Sequence, residues 1–326
     1  MNSQKRECVV FRGEQLLPET WKTFAAAGPV RTFNPGLLRD DDGWIFAYRI
    51  VAADGLRRIG LCRLTSALQI EAGSQVAWSD RVTFRPDGNH PEVATRWFAD
   101  PRLYRFGERW FLYWNSGWHE PRNCQFLQEF DRATLLPRGH PRELLIHDRQ
   151  KLEKNWTFFL AEDGTCRAVY SIRPHRILEF SLAGSEDIFF AEVARVDWSM
   201  GGYPASHGGL RGGAPPVFAD GQYWSFCHSV HDAVDGYCYL PAAYSFATGP
   251  RFAPTMRPGT PLKLGNPFER KRTHPRLNPA VGEVIYPCGA ARDGTRWLIS
   301  HGINDEFSAI SIVEHADVLA TLEPLP

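Results

Sequence analysis

One pattern recurs five times along the 326 residues and limits what the chain can fold into. The copies are FNPGLLRDDDGWIFAYRI from Phe33, ADPRLYRFGERWFLYWNS from Ala99, KNWTFFLAEDGTCRAVYS from Lys154, GGAPPVFADGQYWSFCHS from Gly212 and YPCGAARDGTRWLISHG from Tyr286. Each opens on small or polar residues, runs through a short apolar segment, turns at glycine and continues into an aromatic-rich segment. The turn glycines are Gly43, Gly107, Gly164, Gly221 and Gly294, about 57 to 73 residues apart. Two strands around a tight glycine turn, repeated at a period above fifty, are the mark of propeller blades. The expected fold is therefore all-β, a five-bladed β-propeller. Residues 1–326 form a single domain, with blade starts near 33, 99, 154, 212 and 286 and residues 1–30 as an N-terminal extension.

Weaker strands complete the pattern. RRIGLCRL (57–64) alternates like a half-buried strand, and CQFLQEF (124–130), HRILEFSL (175–182) and YLPAAYSF (239–246) are its counterparts. WKTFAAAG reads as a short helix, and SAISIVEHADVLATLE as a strand running into a helix. The stretches 184–212 and 248–285, rich in Gly, Pro and Arg, are expected to be irregular rim loops.

Charge and cysteine content narrow the function. The 37 basic and 37 acidic residues cancel, so the chain carries no electrostatic footprint for nucleic acid or a membrane surface. A local basic cluster, Glu269-Arg270-Lys271-Arg272, is either a solvated loop or an aid to holding an anion. The N-terminus lacks an apolar signal region. Seven cysteines, without a CxxC pair, read as small buried hydrophobes in a reducing compartment, so a cytoplasmic protein is expected. His228 and His231 with Asp232 lack a further ligand nearby, so no metal site is expected. No P-loop, no GxGxxG opening a helix and no nucleophile elbow is present, and no cofactor is implied.

In a propeller the first strand of each blade lines a central channel. The repeat starts carry Asn34, Asp100, Lys154 with Asn155, Arg211 and Tyr286, and the following strands end near Arg49, Asn115, Arg173, His228, His301 and Asp305. Charged and hydrogen-bonding groups thus converge on one mouth. Asp100 stands out. Pro101 biases it to an extended backbone that aims its carboxylate into the channel, and a partly closed aromatic site would raise its pKa, as a general acid requires. An ion pair with Arg102 is the alternative. Trp114, Trp118, Trp156 and Trp224 are candidates for either sugar-stacking platforms or aromatic core.

These residues carry a resemblance to glycoside hydrolase family 130, the β-mannoside phosphorylases and hydrolases, and to related β-1,2-mannosyltransferases. Asn34 and Arg49 match an asparagine followed about fifteen residues on by arginine. Ala99-Asp100-Pro101-Arg102 keeps three residues of the family's Glu-Asp-Pro-Arg motif, GGAPPVFADGQYWSFCHS supplies His228, and SHGIND supplies Asp305. The resemblance covers about residues 33 to 320. It implies a five-bladed propeller that acts with inversion on a β-mannoside, with Asp100 as general acid. Asn34, Arg49, Arg102, Asn115 and Asp305 would bind the sugar, and Lys154, Arg173, Arg211, His228 and Tyr239 would hold phosphate, which guanidinium groups bind well. The implied partners are an oligosaccharide or mannoside and inorganic phosphate or a phosphosugar. Lys154-Asn155 and Arg211 stand where the family's phosphorylases have an arginine and a lysine, which leaves an activated mannose as an alternative donor. A hydrolase would need a second carboxylate, for which Glu153, Glu120 and Asp305 are the candidates. A non-catalytic glycan-binding propeller is the alternative of another class.

Overall fold

The computed structural model describes residues 7–88, 90–118, 122–207, 209–234, 236–268 and 271–325, and it is almost entirely β. Arg31–Arg39, Gly43–Val51 and Arg57–Thr65 form an antiparallel three-stranded sheet. Ala99–Phe106, Arg109–Asn115, Gln125–Phe130 and Arg142–Ile146 form the next antiparallel unit. Thr157–Leu160, Cys166–Ser171, His175–Phe180 and Ile188–Val196 form another, joined to its predecessor by parallel pairing of Ile188 with Leu144. Then come Gln222–Ala233 and Gly236–Phe246 with shorter flanking strands, and last Val281–Asp293, Arg296–Ile303 and Phe307–Glu314. Parallel pairing of Tyr237 with Val281 and Tyr239 with Val284 joins these last two units.

Period-two alternation explains why the strands read as continuous apolar runs. In GWIFAYRIV, Ile45 and Ala47 pack toward Leu103, Leu112 and Trp114 of the next unit. Trp44, Phe46 and Tyr48 face the other way, toward Leu298 and Ile310 near the C-terminus. Sheets covered on both faces need apolar residues at odd and even positions alike. Similar buried clusters lie between each unit and the next, and the one containing Leu298 joins the last unit to the first.

The chain ends take part in the sheets. Cys8–Phe11 pairs with Phe307–Glu314, Phe11 opposite Ser308, so the expected N-terminal extension supplies a strand to the last unit. Leu322–Pro324 pairs with Pro254–Pro258. Lys22–Ala26 is the short helix expected there, and the strand Phe307–Glu314 runs into the helix His315–Leu319.

The expectation of irregular loops needs correction. Residues 184–212 include the nine-residue strand Ile188–Val196, and 248–285 include Pro254–Pro258. Ile188–Val196 hid because its outward positions mix charge with exposed Phe189 and Val193, which blurs the alternation. All seven cysteines are free; Cys62, Cys124, Cys227 and Cys288 are buried, and Cys8, Cys166 and Cys238 are partly so. Among the described residues no helix is long and apolar enough to cross a membrane.

Phe11 tests the closure. It is buried, with its ring 4.9 Å from that of Phe46. Phe11→Ala should cost about 3 kcal/mol or more, read as a lowered midpoint in denaturant unfolding.

Candidate active site

The polar residues at the strand starts share a backbone device. Asn34, Asp100 and Asn155 have φ of 52°, 53° and 65°, the left-handed region that Asn and Asp tolerate best among residues with a side chain. The ladder shifts register between Phe33 and Gly36 and between Ala99 and Arg102. Such a bulge re-aims a side chain that regular alternation would send into the sheet packing. Asp100 is therefore left-handed rather than extended. The preceding-proline restriction excludes the right-handed helical region but not this one.

The redirected groups line a cavity of about 340 Å³ with Arg49, Asn115, Lys154, Arg211, His228, Tyr239, Tyr286 and Asp305. The Asp100 carboxylate lies at its centre of interactions. Asn34 Nδ2 donates to Asp100 Oδ1 at 2.8 Å, Arg49 pairs with the same oxygen at 3.3 Å, and Asn115 Nδ2 donates to Oδ2 at 3.4 Å. Asn34 lies flush on Gly302, where a Cβ would run into its side-chain oxygen. Asn34 Oδ1, Arg49 Nε and His228 Nδ1 are buried without a hydrogen-bond partner. The His228 ring packs edge-on against Tyr286 at 4.6 Å and stacks on Tyr239 at 5.1 Å.

Electrostatics reverses one expectation. Burial pushes the Asp100 pKa up, but Arg49, the Asn34 hydrogen bond, Arg102 and Lys154 together outweigh it and hold the carboxyl below its usual value. Asp305 is the raised carboxyl. Burial lifts it, the Asp100 charge adds to this, and Arg49, Arg272 and Arg31 offset only part of the rise. Burial also lowers Lys154 and takes His228 well below the ordinary histidine value, so this imidazole is neutral.

Two expected site residues lie elsewhere. Arg102 is fully buried beneath the cavity, where Nε donates to Gly213 O at 2.5 Å, Nη1 to Trp156 O at 3.4 Å and Nη2 to the Tyr286 hydroxyl at 2.8 Å. It positions the wall and does not line the cavity, and its ion-pair alternative with Asp100 is not the arrangement found, since Arg49 makes that pair. Arg173 is exposed in the turn before His175–Phe180 and is absent from the lining, because its repeat presents Lys154 and Asn155 instead. Trp114, Trp156 and Trp224 are core, whereas Trp118 lines the cavity and is 74% exposed, with Lys154 Nζ 5.2 Å from its ring centre. Glu153 is buried and accepts from Gln150 N, Tyr170 and Trp156. Glu120, Glu269 and Arg270 lie outside the described residues. Sequence reasoning missed Arg57, Trp97 and Asn278 in the lining; each sits outside the repeated motif.

No family model and no curated protein matches the sequence. Solved structures do match. A β-1,2-mannobiose phosphorylase from Listeria innocua, in complex with β-1,2-mannobiose, aligns with TM-score 0.61 at 13% identity, over 97% of this chain and 99% of that one. A GDP-Man-dependent mannosyltransferase from Leishmania mexicana aligns at 0.60 and 10% identity, over 96% and 90%. A glycosyl hydrolase from Bacteroides ovatus aligns at 0.63 and 12%, over 91% and 87%. The chain shares their fold. It is thus similar in architecture to mannoside phosphorylases, as the motifs around Asn34, Asp100 and Asp305 led one to expect.

Two variants probe the wall. Arg102→Met leaves Gly213 O and the Tyr286 hydroxyl without their donor in a dry site and should cost about 3 kcal/mol or more, measured by denaturant unfolding. Asp305 has a raised folded pKa, so its protonated form favours the fold at low pH and that contribution is lost as pH rises through the raised value. Asp305→Asn should therefore raise the melting temperature at pH 7 relative to the native protein, with the gain vanishing below pH 4; an equal gain at both pH values would contradict it.

Proposed function

We propose that the chain is a five-bladed β-propeller enzyme that cleaves or transfers β-linked mannose with inversion, using phosphate or a phosphorylated partner. The carrying observation is the cavity itself, in which a clamped carboxylate, Asp100, faces an excess of cations. Arg49, Arg57, Lys154 and Arg211 line it against two carboxylates, Asp100 and Asp305. The five repeats, the cyclic succession of apolar clusters and the shared fold support the blade count.

In this reading Asn34, Arg49, Asn115 and Asp305 hold the mannose hydroxyls. Lys154, Arg211, His228 and Tyr239 surround the phosphate, with neutral His228 available as donor or acceptor. Asp100 protonates the leaving oxygen as the C–O bond breaks and phosphate oxygen bonds the anomeric carbon from the opposite face, giving a mannose phosphate of inverted configuration.

The low pKa of Asp100 in the free protein fits this scheme through linkage. An anion seated beside Lys154 and Arg211 offsets the Lys154 charge, one of those that keep Asp100 ionised. The carboxyl's proton affinity then rises, in the direction that burial already favours. Plain hydrolysis has less support, because Glu153 is spent on Trp156, Tyr170 and the backbone.

The test is product analysis on 1,2-, 1,3- and 1,4-linked β-mannosides with and without inorganic phosphate. Phosphate-dependent release of α-mannose 1-phosphate is expected. Release of free mannose at the same rate without phosphate would replace this reading by hydrolysis. Asp100→Asn should reduce turnover at least a hundredfold while the thermal melt still shows a cooperative fold.

A further inference from the structure

A group of three guanidiniums, two of them outside the repeated motifs, gathers at the first-sheet side of the cavity. Arg31, Val51 and Arg57 are direct cross-strand neighbours, and Arg49 lies two residues before Val51, so the three arginines rise from one face of the sheet. Like charges so placed repel, and the surroundings offset little of this. Arg31 gives one donor to Pro275 O at 2.9 Å, Arg49 pairs with Asp100, and Arg57 donates to Gly55 O. The Nε atoms of all three are buried and lack an acceptor. The nearby carboxyl, Asp305, has its ionisation disfavoured by burial, and burial with the Arg49 charge pulls Arg57 down to about 10.

Arg57 is nevertheless held ready. Its backbone bridges that of Trp97, and its guanidinium lies 4.1 Å from the centre of the Trp97 ring. Both residues line the cavity, and Arg57 rises from the first sheet, whereas the Lys154 and Arg211 cations that the proposed function assigns to phosphate come from later repeats. Arg211 acts on the Lys154 charge, and Arg57 is not among the groups that do. Stacking holds the guanidinium in place, with Nη1 on Gly55 O and Nη2 left to meet a phosphoryl group.

We propose that Arg57, backed by Arg49 and Arg31 and stacked on Trp97, forms a second anion subsite that takes a phosphoryl group. The cavity then accommodates two phosphoryl groups at once, one at Lys154–Arg211 and one at Arg57. The substrate class that uses both is a phosphorylated sugar reacting with, or released from, a phosphate-bearing mannose. The naming of mannose and the phosphate at Lys154–Arg211 rest on the proposed function; the Arg57 subsite itself does not.

The experiment is calorimetric titration of the full chain with inorganic phosphate. Two phosphates per chain are expected for the native protein, one for Arg57→Gln and one for Arg211→Gln. Thermal melts check folding, and Arg57→Lys, which keeps the charge without the fork, should retain two sites with the Arg57-dependent one about tenfold weaker. A single phosphate per chain in the native protein that Arg57→Gln still binds, or two in Arg57→Gln, overturns the subsite, whereas a single phosphate lost in Arg57→Gln keeps it and counts against the Lys154–Arg211 assignment. Titration with mannose 6-phosphate separates the sources. Displacement of the Arg57-dependent phosphate by this ester, but not by mannose, identifies a phosphosugar, and failure to displace it identifies the free ion; either result keeps the subsite. Two phosphates bound by a protein inert on every mannoside would count against the proposed function alone.

Discussion

The structure hangs on a guanidinium buried without a carboxylate partner. Arg102 leaves the strand Ala99–Phe106 and reaches the carbonyl of Trp156, the carbonyl of Gly213 and the hydroxyl of Tyr286, each from a different sheet unit. A charge removed from water must be fully hydrogen-bonded or it destabilises its surroundings by several kcal/mol, roughly. That demand ties the segments carrying Trp156, Gly213 and Tyr286 to the strand Ala99–Phe106. It also explains Gly213, where a Cβ would meet Phe226 O at 2.6 Å and Pro287 O at 2.7 Å. Tyr286 passes the constraint on by donating to Asn155 Oδ1 at 2.8 Å, so a wall residue of the cavity is oriented by a group that never reaches it.

The same guanidinium shapes the chemistry above it. Arg102 is one of the charges that keep Asp100 ionised against the pull of burial. Asp100 and Asp305 are both half-buried carboxyls at one cavity, yet their pKa values move in opposite directions, because Asp100 has Arg49 and Asn34 on its oxygen. Two titratable groups driven apart by their surroundings give a site a fixed anion beside a carboxyl that resists ionising. What enters the cavity redistributes those charges, and in the proposed reaction that redistribution is what arms the acid.

Much of this was legible in the repeats. The glycine turns at Gly107, Gly164, Gly221 and Gly294, all at positive φ, lie in hairpins as read, and the strands read at 57–64, 124–130, 175–182 and 239–246 are present. Nine of the eleven expected site residues line one cavity, since polar residues at equivalent places in a repeat are carried to equivalent places in space. Arg102 and Arg173 are the exceptions. The Asp-Pro-Arg motif gives no sign that its arginine turns inward to carbonyls from remote strands, and the turn holding Arg173 faces solvent. Arg57 was overlooked for the opposite reason: it opens an ordinary alternating strand, and only the neighbouring Trp97 and Arg49 give it meaning.

The sequence by itself determined the all-β character, the hairpin units and the set of polar residues at the strand starts, because hydrophobic period, turn glycines and aromatic content are local properties. Tertiary structure decided which of these groups are wall and which are support, and which carboxyl holds its charge. Asp100 stays ionised because Arg49, Arg102 and Lys154 come to it from separate parts of the chain, and Asp305 is raised because burial and the Asp100 charge reach it through space. Fields of that kind fall off with distance in the fold and have no period along the chain, so no motif announces them.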